Sequence, residues 1–147
     1  MSRVLGIDYG DRRIGIALSD PMRIIASPLC VIDNTGLRHA LAEILALCEK
    51  HDVSQIVMGL PLNMNGTSGE AAQKVNRFME ELRRRTKIPV LTWDERLSTV
   101  SAQHALIEAG TRRENRKGLV DKVAAQIILQ HWLDAQPSDP FDEEPRA

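Results

Sequence analysis

Val4-Leu5-Gly6-Ile7-Asp8-Tyr9-Gly10-Asp11-Arg12-Arg13-Ile14-Gly15-Ile16-Ala17-Leu18 reads as two short strands joined by a turn. The apolar runs 4–7 and 14–18 are β-branched or leucine-rich, and the polar, glycine-containing segment between them is turn-like. Two residues separate Gly10 from Arg13, which predicts an antiparallel hairpin. Alternation puts Val4, Gly6 and Asp8 on one face of the first strand and Leu5, Ile7 and Tyr9 on the other. Gly6 leaves room above the strand, and Gly10 permits a tight turn after it. Asp8 thus ends a buried strand, where its hydration is reduced.

Outward from this hairpin, Pro28 and Asn34-Thr35-Gly36 bracket a third strand at 29–32. The period then changes. Leu37, Leu41, Ile44, Leu45, Leu47 and Cys48 form a helical stripe. Residues 54–60 read as a buried strand and 59–66 as a loop. A second helix spans Glu70–Arg85, with Ala71, Val75, Phe78, Met79 and Leu82 inward. A fifth strand follows at 88–93, then helices at 98–108 and 119–133. Helices inserted between the later strands imply parallel pairing there. The expected class is α/β: a mixed five-stranded sheet flanked by helices, in one domain over residues 1–135.

Composition sets the outer bounds. At 147 residues the chain holds one full core, and its 43% hydrophobic and 27% charged content is that of a globular protein. Neither a signal-type leader nor an apolar run of spanning length is evident, so no membrane partner is expected. Cys30 and Cys48 lack metal-ligand spacing and read as buried free thiols, in keeping with a reducing cytoplasm. Residues 134–147 hold five acids against Arg146, net −4, leaving +3 on the body. The tail 136–147, with Pro137, Pro140 and Pro145, is expected to be disordered. Arg83-Arg84-Arg85 with Lys87, and Arg112-Arg113 with Arg116-Lys117, are basic clusters suited either to phosphates or to solvated helix ends.

The chemistry lies in four acids. Asp94 and Glu95 end the fifth strand, and Asp121 opens the last apolar-striped helix. At about 100° per residue Asp121 lies within roughly 20° of Ile128 and Trp132, in line with the buried stripe. A first-turn cap is the plainer alternative for it. Asp94 and Glu95 alternate to opposite faces, so only one easily joins Asp8; the other pairs with Arg96 or caps Ser98-Thr99. Alternation does not choose between them. Converging carboxylates repel unless a cation joins them, and Mg²⁺ or Mn²⁺ held this way is common equipment for phosphodiester hydrolysis. An Asp-x-Gly turn also forms phosphate loops in actin-like ATPases, but such proteins resemble two facing copies of a domain of this kind. No P-loop or dinucleotide fingerprint is present.

Four blocks together resemble the YqgF family, relatives of the RuvC-type Holliday-junction resolvases in the ribonuclease H-like superfamily. They are Gly6-Ile7-Asp8-Tyr9-Gly10 with Arg12 and Ile14-Gly15-Ile16-Ala17; Gly59-Leu60-Pro61-Leu62-Asn63-Met64-Asn65-Gly66; Asp94-Glu95-Arg96-Leu97-Ser98-Thr99; and Lys117-Gly118-Leu119-Val120-Asp121-Lys122 with Ala124-Ala125. Asn65 stands where an aspartate is common, and Arg12 where lysine is common. The resemblance implies a ribonuclease H-like fold and a nuclease that matures the 5′ end of pre-16S rRNA in the cytoplasm. Alternatives are a DNA-junction endonuclease and a non-catalytic factor binding ribosomal precursor particles. It implies Asp8, Glu95 and Asp121 as catalytic and Mg²⁺- or Mn²⁺-binding carboxylates, selecting Glu95 over Asp94. Arg12, Gly59, Asn63, Arg96 and Lys117 are the expected substrate contacts. In the resolvase relatives the middle acid sits one strand earlier; here that strand ends Met58-Gly59-Leu60, so the glutamate has moved to the fifth strand.

Overall fold

In a computed structural model, residues 2–63, 65–97 and 114–136 are described, with the backbone alone for residues 97 and 114–121. The expected helix 98–108, Arg112, Arg113 and most of the tail lie outside these residues. Strand β1 (Arg3–Asp8) and β2 (Arg13–Ser19) form the expected antiparallel hairpin, and β3 (Ala26–Asp33) extends it. Helix α1 (Leu37–Lys50) leads to β4 (Val53–Leu60), and α2 (Glu70–Arg85) leads to β5 (Val90–Asp94). A 3₁₀ turn (Glu95–Leu97) follows β5, and α3 (Glu114–Ala135) closes the described chain. The sheet order is β3-β2-β1-β4-β5, with β1, β4 and β5 mutually parallel.

Alternation sorts the sheet into two cores. Leu5, Ile7, Ile14, Ile56 and Met58 face α1 and α2, meeting Leu41, Ile44, Val75, Phe78 and Leu82. Val4, Ala17 and Val57 face α3, meeting Ala125, Ile128 and Leu129. Gly6 lies directly under α3: a Cβ there would stand 2.7 Å from Leu129 Cβ and 3.1 Å from the Ala125 carbonyl. A side chain at this point would push the helix off the sheet. Among the described residues no helix is long and apolar enough to cross a membrane. Both thiols are free, and burial pushes Cys48 up to about 11.

Several local expectations are corrected. β3 begins three residues before position 29, so Pro28 lies inside the strand rather than bounding it. It is tolerated because β3 is an edge strand and the register shifts beside it, between Ile16 and Ala17. In α2 Ala72 is buried and Ala71 exposed, and in α1 Leu37 is 43% exposed. Both stand at the N-terminal ends of their helices, Leu37 the first residue of α1 and Ala71 the second of α2. The last helix starts at Glu114, not 119. Asp121 therefore sits two turns inside it, which removes the first-turn capping alternative.

Candidate active site

Asp8 ends β1 on the α3 side of the sheet and is 7% exposed. Its partner on β2 is Gly15. On the other side, Ile7 pairs with Met58 in parallel register, so the next step brings Gly59 alongside Asp8. The carboxylate thus stands in a hollow between two glycines on adjacent strands. The turn after it is tightly held. A Cβ on Gly10 would meet the Arg13 carbonyl at 2.5 Å, and Asn34 Nδ2 donates to the Gly10 carbonyl at 2.9 Å. Asn34 N–H also donates to the Arg12 carbonyl at 2.8 Å, tying this turn to the start of α1.

Asp94 and Glu95, between which alternation does not choose, take up different surroundings. Asp94 closes β5 and is taken up by Arg96: Nη2 donates to Oδ2 at 2.7 Å and the backbone N–H to Oδ1 at 2.9 Å. The Arg96 hydrogen bonds hold the Asp94 carboxyl below its ordinary range. Glu95 opens the 3₁₀ turn and points the other way, 6% exposed. A Cβ on Gly59 would lie 3.0 Å from Glu95 Oε2. Glu95 was expected to end the fifth strand; it lies one residue past it, in the 3₁₀ turn, and reaches back over β4 into the space that the missing Gly59 side chain leaves open. Burial first, and the Asp94 charge second, push the Glu95 carboxyl up to about 7. Asp8 and Glu95 occupy neighbouring places on one face of the sheet.

Asp121 belongs to this face by backbone position. It lies one helical turn before Ala125, which sits over Gly6, while Asp8 lies two residues beyond Gly6 along β1. The side chains of Asp121 and Lys117 fall outside the described residues. Among the described residues no group of three His, Cys, Asp or Glu gathers as a metal set. Arg12 is exposed in the β1–β2 turn. Asn63 begins a self-bonded loop in which its N–H donates to the Thr67 carbonyl at 2.9 Å and its carbonyl accepts from Gly66 N–H at 2.8 Å. Arg96 reaches that loop, since a Cβ on Gly66 would stand 3.3 Å from its Nη1.

Gly59 has a reason to be glycine that lies above it, in Ile128 and Glu95. A Cβ there would stand 2.6 Å from Ile128 Cδ1. Gly59→Val is expected to cost about 1–3 kcal/mol through overpacking and to impair activity by displacing Glu95. Melts and nuclease assays on the same preparation check it; full turnover with only a lowered Tm would make Gly59 architectural.

Residues 2–135 match the family model described as RuvX: Holliday junction resolvase. A relative from Endomicrobium trichonymphae is 50% identical over 140 residues, covering 95% of this chain and all of the relative. One from Clostridium novyi is 45% identical over 133 residues, covering 90% of this chain and 98% of its own. Both carry the name "Putative pre-16S rRNA nuclease". Among solved structures, Thermus thermophilus RuvC in complex with a Holliday junction substrate aligns with a TM-score of 0.59 at 17% identity, over 92% of this chain and 95% of its own. The Fowlpox virus resolvase with Holliday junction DNA aligns with a TM-score of 0.51 at 8% identity, over 90% and 97%. At such identities the structures speak for the fold, which is the RuvC-like, ribonuclease H-like one.

Proposed function

The chain belongs to the RuvX (YqgF) family of nucleases, and from that premise we propose that it is a divalent-metal-dependent phosphodiesterase acting on structured RNA, in 5′-end maturation of pre-16S rRNA in the cytoplasm. The observation that carries this reading is the pair of buried carboxylates, Asp8 and Glu95, at adjacent places on one sheet face. Burying two ionised carboxylates side by side is costly, and oxygen donors of this kind suit Mg²⁺ or Mn²⁺. Asp8, Glu95 and Asp121 would hold the metal. When bound, it would supply Lewis-acid stabilisation of the phosphoryl oxygens and a more acidic attacking water.

The chain's own residues do the rest. The glycines flanking Asp8 keep side chains of the neighbouring strands away from its carboxylate, and the space over Gly59 is taken by Glu95 and Ile128. Glu95 Oε2 lies over Gly59, on the sheet face that Asp8 shares, where it would orient the substrate-side water. Arg12, Arg96 and Lys117 would draw charge from the phosphate, and Gly59 and Asn63 would shape the approach. Asp94 holds Arg96 in place rather than competing with Glu95 for the site.

The test is cleavage of a pre-16S 5′-end fragment and of a four-way DNA junction under Mg²⁺ and Mn²⁺ titration. Metal-dependent cutting of the RNA alone supports the proposal. Preference for the junction would favour a resolvase-type endonuclease, and tight binding without cutting a non-catalytic assembly factor. A further expectation concerns affinity. Reversing Arg112, Arg113 and Arg116 together should flatten the salt dependence of binding, by about 0.9 in log–log slope per lost duplex-DNA phosphate contact and 0.7 per single-strand contact. Binding isotherms over a range of salt measure this, and an unchanged slope would assign the cluster to solvent.

A further inference from the structure

Tyr9 follows Asp8 directly and therefore faces the opposite side of the sheet. There it borders a cleft of about 400 Å³ lined by Gly10, Asp11, Pro61, Glu70, Lys74 and Val75. A second hollow of about 600 Å³ continues from it past Leu37, Arg77 and Phe78 toward Glu80. Tyr9, Asp11 and Lys74 line both, so the two are lobes of one groove astride the tyrosine. The ring is held from behind by Phe78, at a centroid distance of 4.7 Å and a 39° tilt. Lys74 Nζ bonds Asp11 Oδ2 at 3.1 Å and lies 3.8 Å from Glu70 Oε1.

We propose that the smaller lobe is a nucleobase subsite, taking an unpaired base against Tyr9 from a nucleotide flanking the scissile phosphate. The inference rests on the nuclease reading given above. Its location fits: the lobe opens outside the carboxyl ends of β1 and β4, where ligands of open α/β sheets gather. Its size and lining fit as well, being an apolar wall with a few convergent polar groups. Charge selects the base over the phosphate. Asp11 and Glu70 against Lys74 leave the lobe slightly acidic, unfavourable to a polyanion. The carboxylates can accept from base amino and imino N–H groups, while Lys74 donates to a ring nitrogen or carbonyl. A strand crossing the carboxyl end of β1 from Asp8 to Tyr9 would have to leave its duplex to seat that base. The substrate is thereby specified as one with an unpaired nucleotide beside the cut.

The experiment measures binding, in chelator so that nothing is cleaved, of an RNA oligonucleotide carrying 2-aminopurine, as a single strand and as a blunt duplex. Tyr9→Ala is expected to weaken single-strand binding about tenfold through loss of base stacking, and to abolish the fluorescence change on binding. Duplex affinity should stay put. Tyr9→Phe should bind as wild type. Tyr9→Leu, which keeps an apolar contact with Phe78, should bind as the alanine variant does and guards against a mere folding defect. Equal affinity in wild type and Tyr9→Ala, or an equal loss on single strand and duplex, would overturn the subsite. The two readings fail separately: cleavage with no Tyr9 contrast removes the subsite alone, and a Tyr9 contrast without metal-dependent cleavage removes the nuclease proposal alone.

Discussion

Asp8→Asn is expected to lower metal-dependent cleavage by more than about a hundredfold while leaving thermal stability unchanged or slightly raised. Loss of a group that merely orients a metal ligand already costs about 10–100-fold, so loss of the carboxylate itself should cost more. The stability expectation comes from the site's geometry. Asp8 is buried between Gly15 and Gly59 and shares its sheet face with Glu95, so removing one negative charge eases repulsion without opening a cavity. Asp121→Asn should behave alike. An aspartate retained for capping or for a structural ion pair would respond oppositely, losing up to about 2 kcal/mol. Thermal melts and metal titrations on wild type and both variants decide the matter. Retained cleavage with a lowered Tm in Asp121→Asn would remove that residue from the site.

What the sequence disclosed, and what it did not, follows from how far apart the interacting residues lie. The β1–β2 hairpin is local: apolar runs and the Gly10 turn lie within fifteen residues, and the strand faces came out as alternation requires. The position of Pro28 was misread because local sequence does not say whether a strand is at an edge. Ala71 and Ala72 differ by one step of helical phase, which only the packed partner fixes. The Gly15–Asp8–Gly59 row needs the parallel β1–β4 register, set by residues about fifty apart in sequence. Glu95 was preferred to Asp94 by resemblance alone; the Asp94–Arg96 pairing is local and was among the sequence readings, whereas the place of Glu95 over Gly59 is tertiary. The Tyr9 groove was not legible in the chain: Tyr9 stands in the Asp8-Tyr9-Gly10 turn, but its facing residue Lys74 lies 65 positions on in another element, and only the packing of α2 brings the two together.

Glu95 should make the metal-free protein less stable as pH rises, and Glu95→Gln should remove that loss. The carboxyl is raised from 4.5 to about 7 in the fold, by burial first and by Asp94 second. The unfolded chain then releases its proton at lower pH than the folded chain does. Stability therefore falls from about pH 4.5 up to about pH 7 and stays lowered above it, by about 3 kcal/mol at most, at 1.36 kcal/mol per unit. This is the reverse of the usual carboxylate case, in which acid removes the stability. Below pH 4.5 wild type and Glu95→Gln should denature alike in chelator; at pH 8 the variant should be the more stable. A bound cation reverses the balance, since it favours the ionised form. Adding Mg²⁺ or Mn²⁺ at pH 8 should stabilise wild type in proportion to RT ln(1 + [M]/Kd) and leave Glu95→Gln nearly unmoved. Denaturant titrations across pH 4–8.5, with and without metal, measure all of this without reference to turnover. Parallel pH profiles for the two proteins would mean that Glu95 ionises as an ordinary carboxylate. An equal metal response in both would mean that the cation is held without it.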